Sequence, residues 1–374
     1  MTIRMLRALL TAFICLSLLV GCKDQTSVED VTFPLLIGID LDENNQLLFS
    51  SSSPVFSNEA KTKEEQIEIK SISLRQSREE FDRRVIAMTM GGKAQAVFIS
   101  KRVLQHAGWF EFLDPFYRDN KNTILPRVIM IDGKVKDIIT FAPKDKPRLP
   151  TYLSQLLSTA VKRNITVKTT LRDLHRTMTD RAVTPSITRL TKEDDDLFIV
   201  GTALLKKDGT YALTLNPMEN KLLSLLKVHH SGEFPFTLAL PERENSRSFY
   251  KHDKTSFTAS SVSSGTKVSL LNGKYQYRMR LKLQIHLTEQ LFPAAKGDTG
   301  QLEKQIAREL SAQYGALFRK LQRAKVDPLG LGLYARAYTY QNWKKVQKHW
   351  DETLAEADIR VDVSVKIMDT GVTK

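Results

Sequence analysis

The sequence contains very little cysteine, with only Cys15 and Cys22 among its 374 residues. Cys15 lies within an apolar stretch near the N-terminus, so removal of that stretch as a signal would leave Cys22 as the sole thiol. A mature chain with one cysteine cannot form an internal disulfide. Its stability must therefore come from core packing, which a chain of this length can supply.

The chain also lacks an apolar run long enough to cross a bilayer. The run from Ala8 to Val20 has 13 residues, whereas a membrane helix needs about 20. This run follows Arg4 and Arg7 and ends beside the small residue Gly21, which is the three-part layout of a secretory signal. We predict a signal peptide over residues 1–21, and we expect the rest of the chain to be tethered to the membrane rather than to span it.

Cys22 is the predicted attachment point. The sequence Leu19-Val20-Gly21-Cys22 fits a lipobox, in which the cysteine takes a diacylglyceryl thioether and becomes the mature N-terminus. The alternatives are a plain signal followed by a chance cysteine, or an uncleaved anchor. The segment after the cysteine is polar, so we predict a lipidated tether over residues 22–30.

The charge is strongly positive, with a formal net value of +14, and loss of the two arginines in the signal leaves +12. A strongly positive net charge is suited to binding nucleic acid. The Lys and Arg residues are dispersed, however, and the chain carries an export signal. Basic residues near an anionic membrane each contribute about 1 kcal/mol of attraction. We therefore predict a membrane surface and no nucleic acid as the partner.

The sequence offers no motif for metal binding or catalysis. None of the seven histidines pairs with another at the i, i+4 spacing of a helical zinc site. The acidic run Glu193–Asp196 could bind calcium, but it lacks alternate-ligand spacing, which favours a solvated turn. His229-His230 is expected at a helix end, and His286 on the outer face of a strand. We predict no metal and no catalytic residue.

Cofactor motifs are matched only in part. Gly330–Ala335 fits G-x-G-x-x-A literally, but it follows a helix and a proline rather than a strand, so we predict no dinucleotide site there. Gly91–Lys93 lacks the upstream glycine and the following Ser or Thr of a P-loop. No G-x-S-x-G elbow is present. We predict no cofactor.

The first predicted domain covers residues 31–190, where apolar strand patterns alternate with helical ones, an arrangement typical of an α/β or α+β unit. Ser77 followed by acidic residues predicts a helix N-terminus. Apolar runs at 94–99 and 127–131 predict buried strands. Residues 42–66 are polar and Ser-rich, which predicts a loop or a ragged edge.

A second short helix is predicted over about residues 101–108, ending at a glycine. An aromatic-rich segment follows from Trp109 to Tyr117. Trp109, Phe110 and Phe112 could form a docking patch, although core packing is the favoured interpretation.

The middle predicted domain covers residues 191–258. Strands Leu197–Leu205 and Tyr211–Leu215 are joined through Asp208-Gly209, a strong hairpin signal. Asn216 is expected to start the helix that follows.

The C-terminal predicted domain covers residues 259–374. Tyr275–Leu287 alternates apolar and polar residues, which predicts a long half-buried strand with a turn at Asn272-Gly273. Residues 300–325 then carry the period of a long amphipathic helix, and a closing strand begins near Ile359. The predicted fold class is α+β, with three mixed domains, the last an antiparallel sheet packed on a long helix.

Four stretches together resemble a known family. They are the lipobox through Cys22 with Ile37–Asp40, Ala96–Leu104 with Phe112–Asp119, Ile199–Leu226, and Asp327–Gly332 followed by Trp343, Trp350 and the closing strand to Gly371. With these stretches in this order, the chain resembles the Ger(x)C spore germination lipoproteins. These are the C subunits of nutrient germinant receptors in endospore-forming bacteria. The likeness covers essentially the whole mature chain. It departs from the family pattern at residues 42–66, where a Gln-rich strand is usual.

This resemblance implies a non-enzymatic subunit of three mixed domains. It implies a lipid anchor on the outer face of the spore inner membrane and two integral membrane partners, the A and B subunits, which together sense nutrients. Only Cys22 then has a defined chemical role. The alternative is a lipid-anchored solute-binding protein of a transporter, which predicts two similar βα lobes about a cleft. An exported enzyme is a further alternative, but the sequence contains no recognisable set of catalytic residues.

Overall fold

A computed structural model provides the structure. It describes residues 30–57, 59–85, 88–227, 231–240, 254–290 and 299–370, together with positions 3, 5, 7, 11 and 27. Cys22 and the His229-His230 pair lie outside these described residues.

The described strands and helices alternate along the first half of the chain and are longer in the second half. Strands β1–β14 are Val31–Thr32, Leu36–Leu41, Leu47–Pro54, Glu64–Lys70, Met88–Thr89, Ala96–Ser100, Arg127–Ile131, Ser186–Glu193, Asp196–Leu205, Tyr211–Leu215, Phe234–Ala239, Lys254–Leu271, Lys274–Gln290 and Asp358–Asp369. Helices α1–α10 are Leu74–Asp82, Asp114–Arg118, Val135–Ile139, Leu149–Lys162, Leu171–Thr179, Pro217–Leu225, Thr299–Arg323, Leu331–Tyr338, Tyr340–Val346 and Trp350–Ala355.

An eight-stranded sheet forms the first half, in the order β10-β9-β8-β7-β6-β2-β3-β4. Its centre, from β2 through β6 and β7 to β8, is parallel. The central strands β6 and β7 are almost wholly buried, as expected of parallel strands covered on both faces. One apolar cluster packs α3 and α4 on one face, and another packs α1, α2 and α5 on the other.

The second sheet is four-stranded, in the order β11-β12-β13-β14. The β12–β13 hairpin turns at Asn272 and Gly273, which have φ of 50° and 78°, as a type I′ turn requires. Alternate residues of β13 are buried against α7, which confirms the predicted long half-buried strand: Tyr275, Tyr277, Met279, Leu281, Leu283 and Ile285. The α+β fold class is confirmed.

The second sheet differs from the prediction in one respect, because it is mixed rather than antiparallel. β14 pairs with β13 in parallel, with Tyr277 opposite Ile359. The chain between them passes through α7–α10, and such a crossover through helices brings the next strand back in the same direction. The sheet therefore combines an antiparallel hairpin with one β-helix-β unit.

The segment 191–258, predicted as a middle domain, contributes to both sheets. β9 and β10 complete the large sheet, whereas β11 and the start of β12 belong to the small one. The predicted limit at residue 190 falls within β8, which pairs with β9 as a hairpin. The domain limits stay a prediction.

Residues 42–66 were expected to form a loop or a ragged edge. They include β3 and the start of β4, the strand at one edge of the large sheet, so the loop is wrong. The serines at positions 50–53 are buried within β3. Gly38 pairs with Ser50 beneath α3, and a Cβ added at Gly38 would overlap the side chain of Val135. Small side chains allow the helix to approach the sheet, and Ser50 also donates a hydrogen bond of 3.3 Å to Glu68.

Two helix predictions in the first half also need correction. Helix α1 begins three residues before Ser77, and Ser73 is its N-cap, accepting a 3.1 Å hydrogen bond from the Gln76 N–H. Ser77 lies inside the helix, where its hydroxyl donates a hydrogen bond to the Leu74 carbonyl at 2.8 Å. Its hydrogen-bonding requirement is thus met within the helix. The helix predicted over about 101–108 is only a 3₁₀ turn at Val103–Gln105.

Candidate functional sites

The motif residue Asp40 joins three elements of the large sheet. It lies at the end of β2 and is almost completely buried. Its carboxylate accepts hydrogen bonds from the Arg102 guanidinium at 3.0 Å, the Val135 N–H at 2.9 Å and the Leu41 N–H at 2.8 Å. The carboxylate thus satisfies the first N–H of α3 and pairs with a cation, which is a structural role.

Trp109 belongs to the core rather than to a docking patch. Its side chain is buried, and its indole N–H donates a 2.8 Å hydrogen bond to the Gly209 carbonyl. Phe110 and Phe112 pack against the same apolar cluster. The favoured interpretation is therefore confirmed, and Trp109 ties the aromatic segment to the β9–β10 turn.

Arg118 and Asp119, which end the Phe112–Asp119 motif, lie at the edge of an apolar pocket. Arg118 pairs with Asp114 on its own helix, with an Nε–Oδ2 distance of 2.6 Å. Asp119 instead lies 3.8 Å from the Arg78 guanidinium and 4.0 Å from that of Arg75. The motif therefore places alternating charges around the pocket opening.

This pocket has a volume of about 460 Å³ and lies between α1 and α2, beside β2 and β3 of the large sheet. Its apolar wall is formed by Pro34, Ile37, Leu74, Phe81 and Phe116. Such a wall can hold an apolar side chain, and the charged rim can hydrogen-bond to a polar group beside it. The pocket therefore suits non-covalent binding.

A third motif residue, Gly201, allows close packing of β9 and β10. It has a φ of 148°, and a Cβ at this position would overlap the Leu215 carbonyl oxygen. Beside it, the Thr202 hydroxyl donates a 2.8 Å hydrogen bond to Asn220, a buried residue of α6. This stretch therefore attaches α6 to the large sheet.

The fourth motif contains Asp327, a buried carboxylate at the start of α8. Oδ1 accepts from the N–H groups of Gly330 and Leu331, both at 2.8 Å. Oδ2 accepts from the N–H of Gly332 and the indole N–H of Trp350, both at 2.9 Å. Burial raises the pKa of Asp327, although these four donors oppose the rise by favouring the ionised form. Both oxygens are fully used as acceptors, so the geometry requires the carboxylate.

Asp327 also connects the two halves of the chain. Its N–H donates to the Thr184 hydroxyl at 2.8 Å, and its carbonyl accepts from the Thr184 N–H at 2.9 Å. Gly332 lies so close to Ala182 that an added Cβ would be 2.7 Å from the Ala182 carbonyl oxygen. The two glycines of the G-x-G pattern therefore serve helix capping and packing rather than binding of a dinucleotide.

The acidic run forms an exposed turn between β8 and β9. Asp194 has a φ of 49°, Asp195 lies 2.7 Å from Lys144, and Asp196 pairs with Lys146. The interpretation as a solvated turn is confirmed. His286 is exposed on β13, as predicted.

The described residues form neither a metal centre nor a membrane-spanning helix. Within those ranges, no group of three or more His, Cys, Asp or Glu side chains is arranged to hold a metal ion. None of the helices in the described part of the chain is both long and apolar enough to cross a membrane.

Both halves of the chain match domains of known proteins. Residues 24–192 match the spore germination protein N-terminal domain, and residues 200–371 match the spore germination B3/GerAC-like C-terminal domain. The two matches cover nearly all of the described chain, the first ending within β8 and the second beginning within β9. The chain therefore belongs to the GerAC-like, or Ger(x)C, family of spore germination proteins, as the motifs predicted.

Individual relatives agree with this assignment along the full length. Spore germination protein A3 of Bacillus subtilis (strain 168) is 25% identical over 396 residues, covering 97% of this chain and 98% of the relative. Spore germination protein GerQC of Bacillus cereus is 22% identical over 377 residues, with 97% and 98% coverage. The crystal structure of the GerBC protein superposes with a TM-score of 0.55 at 17% identity, covering 89% of this chain and 96% of that one. This last likeness shows a shared fold.

Proposed function

We propose that this chain is the lipid-anchored C subunit of a nutrient germinant receptor, acting through protein contacts and without catalysis. The observation that carries this proposal is the match of both halves of the chain to spore germination domains. The relatives that align along the full length are themselves named for spore germination.

The anchor follows from the lipobox. Cys22 precedes Val31, the first residue of β1, by nine residues, and nine extended residues span at most about 32 Å. A diacylglyceryl group on Cys22 supplies two acyl chains, which give stable anchoring where one chain does not. The large sheet is thereby held close to the outer face of the spore inner membrane, within reach of integral A and B subunits.

Non-catalytic action is supported by what the motif residues do. Asp40 and Asp327 are committed to hydrogen bonds that cap helices, and Gly201 serves close packing. The alternative of a solute-binding protein predicts two similar lobes, whereas the two sheets differ in strand number and strand direction. A germination subunit fits these observations better.

A fractionation experiment tests the anchor. The full-length Cys22→Ala variant is expected to leave the membrane fraction and to lose incorporation of labelled fatty acid. Cys15→Ala provides a matched control, because it removes the other cysteine of the same leader and keeps the lipobox. Membrane retention and acylation of Cys22→Ala would show that attachment occurs elsewhere.

A further inference from the structure

A second cavity lies where the two family domains meet, and we call it the junction cavity. Its volume is about 480 Å³, within the usual range for small-molecule sites. One wall comes from the first half, including Thr166, Thr169 and Ser186, and the other from the second half, including Ser224 and Lys227. A molecule in this cavity would therefore touch both halves of the chain.

Hydroxyl groups line much of the junction cavity. Thr166 donates to the Gly201 carbonyl at 2.8 Å and lies 3.2 Å from the Thr202 hydroxyl, and Thr169 donates to the Ser186 carbonyl at 2.7 Å, so both hydroxyls are held in place. Ser224, a buried residue of α6, also lines the cavity. Its hydroxyl can both donate and accept a hydrogen bond.

The cavity is positively charged. Lys227 lies at its inner wall, and burial lowers the pKa of this lysine. Burial is the sole cause of this lowering, and no carboxylate in the described part of the chain is paired with the Lys227 ammonium. The one acidic residue of the lining, Asp173, is already used, accepting hydrogen bonds from the Thr170 hydroxyl at 2.7 Å and the Thr170 N–H at 3.2 Å.

Two exposed cations, Lys168 and Arg176, add to the positive charge of the lining. A partly buried ammonium without a counter-ion is unfavourable, and an anionic ligand would relieve this cost. The combination of one inner ammonium, two outer cations and several hydroxyls suits a small molecule with an anionic end and hydrogen-bonding groups beside it.

We propose that the junction cavity binds a small hydroxylated carboxylate, with its carboxylate paired to Lys227 and its hydroxyl groups bonded to Ser224 and the threonine wall. This inference goes beyond the proposed function, which requires protein partners and a lipid but no small ligand. Because the ligand would contact both halves only when they are folded and docked, its binding stabilises the junction between the two sheets.

The experiment uses the full lipidated chain in detergent micelles, with sodium gluconate and sodium lactate as probes. Titration calorimetry should show saturable binding of at least one of them, and none with glucose or with sodium chloride at equal ionic strength. A charged hydrogen bond is worth about 1.5–3 kcal/mol, so Lys227→Met should weaken binding at least about tenfold. Lys304→Met is the matched control, an exposed lysine of α7 outside the lining, and should bind as the wild type does.

Several results would overturn the proposal. These are no saturable binding of either carboxylate, equal binding of glucose, or unchanged affinity in Lys227→Met. Binding of inorganic phosphate that gluconate and lactate fail to match would assign the cavity to a different anion. Should Lys227→Met fail to fold, Ser224→Ala serves instead, with weakened binding expected and unchanged binding contradicting the assignment.

Discussion

Replacement of Asp327 by asparagine tests the connection between the two halves most sharply. The substitution preserves size and keeps one carbonyl oxygen, which can still accept from Gly330 and Leu331. It places an NH₂ group where the second carboxylate oxygen accepted from Gly332 and Trp350. Two buried N–H donors then face a third donor instead of an acceptor.

The expected cost follows from those two lost bonds. Hydrogen bonds to a charged group are worth about 1.5–3 kcal/mol each, and the side chain is only 2% exposed, so water cannot replace them. The neutral amide avoids the cost of burying a charge, which offsets part of the loss. We expect the free energy of unfolding to fall by about 2–4 kcal/mol.

The assay is urea unfolding of the full chain followed by tryptophan fluorescence, since Trp350 is itself a partner of Asp327. The midpoint should fall while the slope with urea stays the same. Asp362→Asn is the matched control, because Asp362 is exposed on β14 and should change stability by less than about 0.5 kcal/mol. If Asp327→Asn changes stability as little as this control does, the capping argument is refuted.

Three further substitutions test other parts of the fold by the same unfolding assay. Gly38→Ala should lower the unfolding free energy by about 1–3 kcal/mol because α3 lies against Gly38. Gly265→Ala is the control and should not lower it, because the space around its Cβ position is open. Equal effects of the two substitutions would contradict the packing of α3 on Gly38. Trp109→Phe should lower the unfolding free energy by at least about 0.5–1.5 kcal/mol, because its hydrogen bond to the Gly209 carbonyl is lost. An unchanged midpoint would show that this bond does not stabilise the fold. Burial lowers the pKa of Lys207 to about 8. The unfolded chain, with a lysine pKa of 10.5, then binds more protons between pH 8 and 10.5, so wild-type stability should rise across that range relative to Lys207→Met; parallel pH profiles would contradict it.

The periodic elements were predictable because burial of one face leaves a clear pattern. The alternation in β13 and the helical period of α7 have one dominant cause, an apolar face against a shared core. The turns at Asn272-Gly273 and Asp208-Gly209 were predictable for an equally local reason, the positive φ at their glycines.

The elements that were missed depend on contacts distant in sequence. Ser50 of β3 is buried beneath α3, which follows some 85 residues later, and the polar composition of the strand hides this. The parallel pairing of β14 depends on the route of α7–α10, which alternation alone does not encode.

The roles of the motif residues were also only partly visible in the sequence. Cys22 carries its own local signal, whereas the partners of Asp40 and Asp327 come from other parts of the chain. The carboxylate of Asp327 caps a helix whose N-cap is Gly330, three residues later, and the residue preference at N-caps does not mark an aspartate at that position. The junction cavity has no such signal, because its walls come from separate segments of both halves.

The central claim, that this chain is a membrane-anchored subunit of a germinant receptor, is tested most directly by its partners. The measurement is affinity purification of the C-terminally tagged full chain from solubilised spore inner membranes, followed by mass spectrometry. We predict recovery of two integral membrane subunits in amounts comparable to the chain itself, with their loss in Cys22→Ala. Recovery of the chain alone, together with unchanged nutrient-triggered germination after its deletion, would contradict the account.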